Sequence, residues 1–170
     1  MYPQRFIDYL VYFHSYRDYF ECHEVLEEYW KEDGQKNKLW VGFIQLAVSM
    51  YHHRRKNFVG AEKLMKQTIA ILKQEEIQLS KLGFDNTTLF NLLTKKYEAI
   101  KKRNAYTPIT LPIVDKVVLD ECLKKSKEQG VIWCDEKPIV DKSIIDKHKV
   151  RDRSAIITAR EQQLKKKRGS

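Results

Sequence analysis

The chain has 170 residues, 42% of them hydrophobic and 32% charged, with a formal net charge of +9. That size supports one ordinary domain with a tail, or two small units, and the balance excludes a disordered polymer. No uncharged run reaches the roughly 20 residues that a bilayer-spanning helix needs, and no apolar h-region follows Met1, so a cytoplasmic protein is expected. Cys22, Cys122 and Cys134 form no C-x-x-C pair, so neither a disulfide framework nor a zinc knuckle is encoded.

Six glycines and four prolines separate long stretches of helical periodicity, which points to an all-α fold. Phe6, Leu10 and Phe13 recur at helical spacing after Pro3 and predict a first helix over 4–14. Asp18, with Glu21 three residues on, reads as a capping box that opens a second helix running to about Lys31. Asp33-Gly34-Gln35 breaks it. A third helix is expected from Lys38 to Lys56 and is apolar nearly all round, which makes it central. A fourth starts after the cap-like Asn57 and runs to about Glu76, Gly83 marks a break, and Asp85-Asn86 caps a fifth that ends near Arg103. Short loops favour antiparallel neighbours, so residues 1–104 read as a compact antiparallel bundle of about five helices. Residues 105–114, with Pro108 and Pro112, read as a linker to a helical extension over 115–170. In that extension an amphipathic helix runs from Asp115 to Gln129 and is closed by Gly130. Val131-Ile132-Trp133 is a short extended piece, a last helix is expected over about 152–166, and Lys165-Lys166-Lys167-Arg168 forms a basic tail.

The second helix carries the chemistry. At 100° per residue Cys22, Val25, Leu26 and Tyr29 form its buried stripe, while Glu24, Glu28 and Lys31 face solvent. His23, Glu27 and Trp30 occupy the seam between these faces, with Phe20 in line before them. A histidine and a carboxylate four apart are stacked neighbours on a helix, and a half-buried seam is where titrating groups acquire functions. On the third helix Gln45 and His52 look out from one side. Folding the two helices together about residues 34–35 brings Gln45 level with His23 and Glu27, and places His52 about 10 Å further along. Such a pair can hold a metal or move a proton, and it can equally be a structural clasp. The zinc-protease pattern H-E-x-x-H is missed, because its second histidine position holds Glu27.

Tyr19-Phe20-Glu21-Cys22-His23-Glu24-Val25-Leu26-Glu27-Glu28-Tyr29-Trp30, then Trp40 to Val48, Tyr51-His52 and Asn57 to Ala61 occur as linked blocks. Over roughly residues 6–100 they resemble the prokaryotic family known as domain of unknown function 309, with its H-x-x-x-E-x-x-W/Y pattern at His23, Glu27 and Trp30. The resemblance implies a small all-helical protein in which His23 and Glu27 are candidate ligands of a divalent metal and Trp30 packs beside them. It says little about residues 106–170.

Three readings follow. In the first, His23, Glu27, Gln45 and His52, supported by Phe20, Trp30 and Tyr51, bind a divalent metal or a small polar ligand. Any catalysis would then be metal-assisted hydrolysis by a bound water. In the second, the bundle is a non-catalytic interaction module for a protein partner, with His23–Glu27 as a structural clasp. Nucleic-acid binding through the basic tail ranks last, because positive charge is interleaved with Asp and Glu rather than gathered with aromatic residues.

Overall fold

Helices form where the periodicity placed them. The computed structural model describes residues 2–139 and 141–147. Its elements are α1 (Gln4–Val11), a π-helical turn (Tyr12–Tyr16), α2 (Tyr19–Glu32), α3 (Lys38–Arg54), α4 (Phe58–Lys73), α5 (Glu76–Lys81), α6 (Asn86–Lys101), α7 (Lys116–Glu128) and α8 (Lys142–Ile145). The fold is all-helical, and an isolated antiparallel bridge joins Phe84 to Ile113. Contacts divide the chain into one compact unit over Met1–Pro138 and a second over Ile139–Ser170. In the second unit Asp141 caps α8 by accepting from Ser143 N–H at 2.9 Å. The helix expected over 152–166 and the basic tail lie outside the described residues. Among the described residues no helix is long and apolar enough to cross a membrane.

The caps read from the sequence are in place. Asp18 Oδ1 accepts from Glu21 N–H at 3.2 Å and Asn57 Oδ1 from Gly60 N–H at 3.1 Å. Asp85 does the same for Thr88 N–H, and such a cap contributes about 1 kcal/mol. Two boundaries differ from expectation. The helix expected over 4–14 ends as an α-helix at Val11 and continues as a π turn, in which Arg17 N–H reaches back to Tyr12 O. The wider turn swings His14 and Ser15 inward and leaves Arg17 left-handed at φ 51. The fourth helix, expected to about Glu76, ends at Lys73, and after a turn at Gln74-Glu75 a short helix that was not expected, α5, buries Leu79 and joins Gln78 to Asn37.

The core is aromatic. Phe6 sits 5.1 Å from Phe43 and 5.9 Å from Phe84, centroid to centroid, and Tyr9 and Tyr19 flank Phe13. Tyr9 donates its hydroxyl to Phe43 O at 2.7 Å, and the fully buried Cys22 lies against Tyr9 O. Helix α3 is central, as its composition required. At Gly42 an added Cβ would meet Leu72 Cδ2 at 2.6 Å, so the close approach of α4 depends on a residue without a side chain.

The stretch expected as a linker is a strap laid along the bundle. Ile109 and Leu111 are 8% and 1% exposed. Two prolines prevent this segment from satisfying its own backbone groups as a helix would, and side chains of the bundle do so instead. His53 Nε2 donates to Asn104 O at 2.9 Å, Lys96 Nζ to Thr107 O at 2.6 Å, and Arg17 Nη1 to Ile109 O at 2.6 Å. His14 Nδ1–H donates to Leu10 O, so its Nε2 is free to accept Leu111 N–H at 3.0 Å. Asp85 N–H closes the run on Pro112 O. Beyond the strap α7 packs on α1 through the Asp8–Lys125 ion pair and the Ser15–Ser126 hydroxyl bond at 2.8 Å.

Two outcomes follow for stability. Leu111→Ala should cost about 2–4 kcal/mol in urea unfolding, the range for a core leucine, whereas a tether residue would cost under about 0.5 kcal/mol. Burial pushes the His14 imidazole down to about 3, so between that value and its unfolded pKa near 6.5 only the unfolded chain takes up the proton. Stability should therefore fall as pH drops from about 6.5 towards 3, and a His14→Gln variant should show a flatter urea-midpoint profile over that window.

Candidate functional site

Helix α2 presents a short charged ladder. His23 Nε2 meets Glu27 Oε2 at 2.6 Å, and Lys31 Nζ meets Glu27 Oε1 at 3.3 Å, each one helical turn apart. The His23 and Glu27 side chains are 26% and 34% exposed, so the pair sits at the half-buried seam assigned to it. Phe20 lies above it, 5.5 Å from the His23 ring and 5.7 Å from Tyr51 on α3. On the opposite flank of α2, Arg5 reaches Glu28 and Glu32 at 3.5 and 3.4 Å.

The register of α2 on α3 follows from two ring contacts, Phe20 with Tyr51 and Tyr29 with Trp40 at 5.6 Å. They put Gln45 between the levels of His23 and Glu27, as the folding-over argument required. Gln45 is half-buried, and its Oε1 is buried without a hydrogen-bond partner. The same is true of His23 Nδ1 and Trp30 Nε1. His52 is placed elsewhere: its Nδ1 faces Asn57 Nδ2 at 3.3 Å, in the corner between α3 and α4.

The residues do not fit a divalent metal. Structural and catalytic zinc sites need three or four protein donors around one point, and among the described residues no three His, Cys, Asp or Glu side chains gather so. His23 Nε2 and Glu27 Oε2 are bonded to each other instead.

A second polar cluster escaped the sequence reading. Beside the one-sided surface line of His52 stands His53, 1% exposed. It joins Arg17, Arg54, Tyr19, Lys96 and Tyr106 at the end of α3 remote from the α2–α3 loop. Arg54 Nη1 donates to Arg17 O at 2.7 Å, and its guanidinium lies 4.8 Å from the Tyr19 ring centroid. The Tyr19 and Tyr106 hydroxyls bond to each other. Burial pulls the His53 imidazole down and the Lys96 ammonium to about 8. The signal available in the sequence was the alternation of Ile109, Leu111 and Ile113, a period-two pattern that marks an extended segment with one buried face.

The exposure of the His23–Glu27 pair fixes its energetic weight. A His23→Ala, Glu27→Ala double-mutant cycle should give a coupling below about 1 kcal/mol, as for other solvent-reached pairs. A coupling of about 3 kcal/mol would mark a buried clasp instead.

Comparison with known proteins places these elements in a family. Residues 6–64 match the family described as "Domain of unknown function (DUF309)". The match runs from α1 into α4 and is shorter than the 6–100 block the resemblance suggested, though it still takes in His23, Glu27, Trp30, Gln45 and His52. The chain is also 45% identical, over 172 aligned positions, to the Uncharacterized protein YpuF of Bacillus subtilis (strain 168), covering 100% of this chain and 99% of that protein. No solved structure matches. With a relative this similar along the full length, the chain belongs to the DUF309 family.

Proposed function

We propose that this chain is a non-catalytic binding module that holds a small polar ligand at the α2–α3 edge. One observation carries the reading: His23 Nδ1, Trp30 Nε1 and Gln45 Oε1 are buried polar atoms without hydrogen-bond partners, all on these two packed helices. An unmet buried donor or acceptor costs about 1–3 kcal/mol, so these three atoms along the seam call for a group that completes them. Trp30 offers only a donor and Gln45 Oε1 only an acceptor, which suits a ligand carrying both functions. Phe20, between the His23 and Tyr51 rings, supplies a flat apolar wall, the usual companion of a few placed polar groups.

The same geometry argues against covalent catalysis. His23 Nε2 is committed to Glu27, and the neighbouring Cys22 is fully buried against Tyr9 O with its thiol pushed well up by burial. No activated nucleophile-and-base pair is formed there. The interaction-module reading takes the His23–Glu27 bond as a structural clasp instead.

A screen of small polar fragments against the ¹⁵N-labelled chain separates the two. The binding reading expects a fragment that shifts the Trp30 indole N–H and the His23 ring signals together. His23→Ala should then weaken that fragment about ten-fold, equivalent to about 1.4 kcal/mol, while the fold stays intact. If His23→Ala lowers only the melting temperature and no fragment moves the two signals, the clasp reading stands.

A further inference from the structure

Lys96 on α6 is a buried amine whose hydrogen-bond partners are both neutral. It is 5% exposed, and its Nζ donates to Thr107 O at 2.6 Å and to the Thr107 hydroxyl at 3.2 Å. Among the described residues no carboxylate pairs with it. Burial alone pulls its pKa down to about 8. An ordinary lysine titrates at about 10.4, so at pH 8 about half of Lys96 is the neutral amine against about 0.4% of a solvated lysine. Neutral amines attack electrophiles and ammonium groups do not, which is why desolvated lysines serve as covalent nucleophiles.

The amine is not sealed in. With Leu92, Lys95, Ala99, Thr107 and Ile109 it lines an open cleft of about 160 Å³ between α6 and the strap. That volume is below the roughly 300–1,000 Å³ of ordinary ligand pockets, so the occupant is small. Leu92, Ala99 and Ile109 give the cleft apolar walls, and its lining carries Lys95 but no acidic side chain. A cation in a cleft without carboxylates draws anions. The Tyr106 ring centroid lies 5.5 Å from Nζ, and a ring face that holds an ammonium holds a protonated imine in the same way.

We propose that Lys96 is a covalent capture site for a small carbonyl compound bearing a carboxylate, held as a Schiff base in the α6–strap cleft with the carboxylate towards Lys95. Nζ adds to the carbonyl carbon, and the C=O π pair moves onto the oxygen. One N–H proton passes to that oxygen and gives the carbinolamine, with the Thr107 hydroxyl as the adjacent relay. The carbinolamine hydroxyl then leaves with the second amine proton as water, so amine and carbonyl become imine and one water with no change in oxidation state. The step is reversible and captures the compound without turning it over. The site is built on other elements than the α2–α3 edge and does not depend on that reading.

The test is reductive trapping on the folded full-length chain at pH 8. Sodium glyoxylate is added in limiting amount with sodium cyanoborohydride, which reduces the imine to a stable carboxymethyl-lysine, and the modified positions are followed in time by peptide mass spectrometry. The exposed Lys102 and Lys124 serve as internal references. The expected result is labelling of Lys96 about ten-fold faster than either, the gain in neutral amine outweighing its restricted access. Lys95→Gln, which removes the cation beside the cleft, should slow the labelling of Lys96 about three-fold and leave Lys124 unchanged. The proposal is overturned if Lys96 is labelled no faster than Lys102 and Lys124, or if Lys95→Gln leaves its rate at the wild-type value. The wild-type map decides the matter alone if the variant does not fold.

Discussion

A proline-containing segment that crosses a helical bundle must have its backbone groups satisfied by someone else's side chains, and this requirement organises the molecule. Between Asn104 and Ile113 the partners are His53, Lys96, Arg17 and His14. They come from three separate places in the chain, so the strap can lie down only when the π turn, α3 and α6 are already in position. The left-handed Arg17 is part of the same constraint. Its backbone conformation is costly for a residue with a Cβ, and it is held by a guanidinium bonded to Phe13, Ile109 and Asp135 carbonyls. Once the strap is fixed, α7 follows onto α1, and Trp133 closes over His14 at 4.5 Å.

Much of the helical layer was legible because its signals are local. Asp18, Asn57 and Asp85 announce helix starts by the chemistry of their own side chains, and the all-round apolar run from Leu39 to Tyr51 could only be a central helix. The strap was not legible in the same way. Its two prolines correctly excluded a helix, but whether a non-helical segment is a tether or a packed strap is decided by contacts nearly a hundred residues distant, such as Leu111 with His14. The π turn was hidden for a related reason: its sequence keeps helical spacing, and the extra residue is taken up only because His14 and Ser15 find buried partners.

The candidate site shows the same division. Spacing alone put His23 and Glu27 on one edge, and the loop position alone put Gln45 at their level. Adjacent histidines were harder. A face argument singled out the outward His52, whereas the buried member is His53, whose value depends on a strap carbonyl that the sequence did not place there. The structure also separates two kinds of polar chemistry along α3. Near its middle, Gln45 Oε1 is buried without a hydrogen-bond partner. At its C-terminal end Arg54 bonds the Arg17 carbonyl and lies against the Tyr19 and Tyr106 rings, a cation–π arrangement. The family match covers α1 to α4 and therefore the first region. The second is completed only by the strap, in the part of the chain shared with the Bacillus subtilis relative.

Native-state hydrogen exchange at the Leu111 amide tests the central claim most directly, because its N–H is held by a buried neutral imidazole rather than by secondary structure. The account predicts that this amide exchanges only on global unfolding, with protection matching that of core amides of α3 such as Leu46. Exchange at the rate of an exposed loop amide, while α3 stays protected, would mean that residues 104–113 are a tether and would contradict the account.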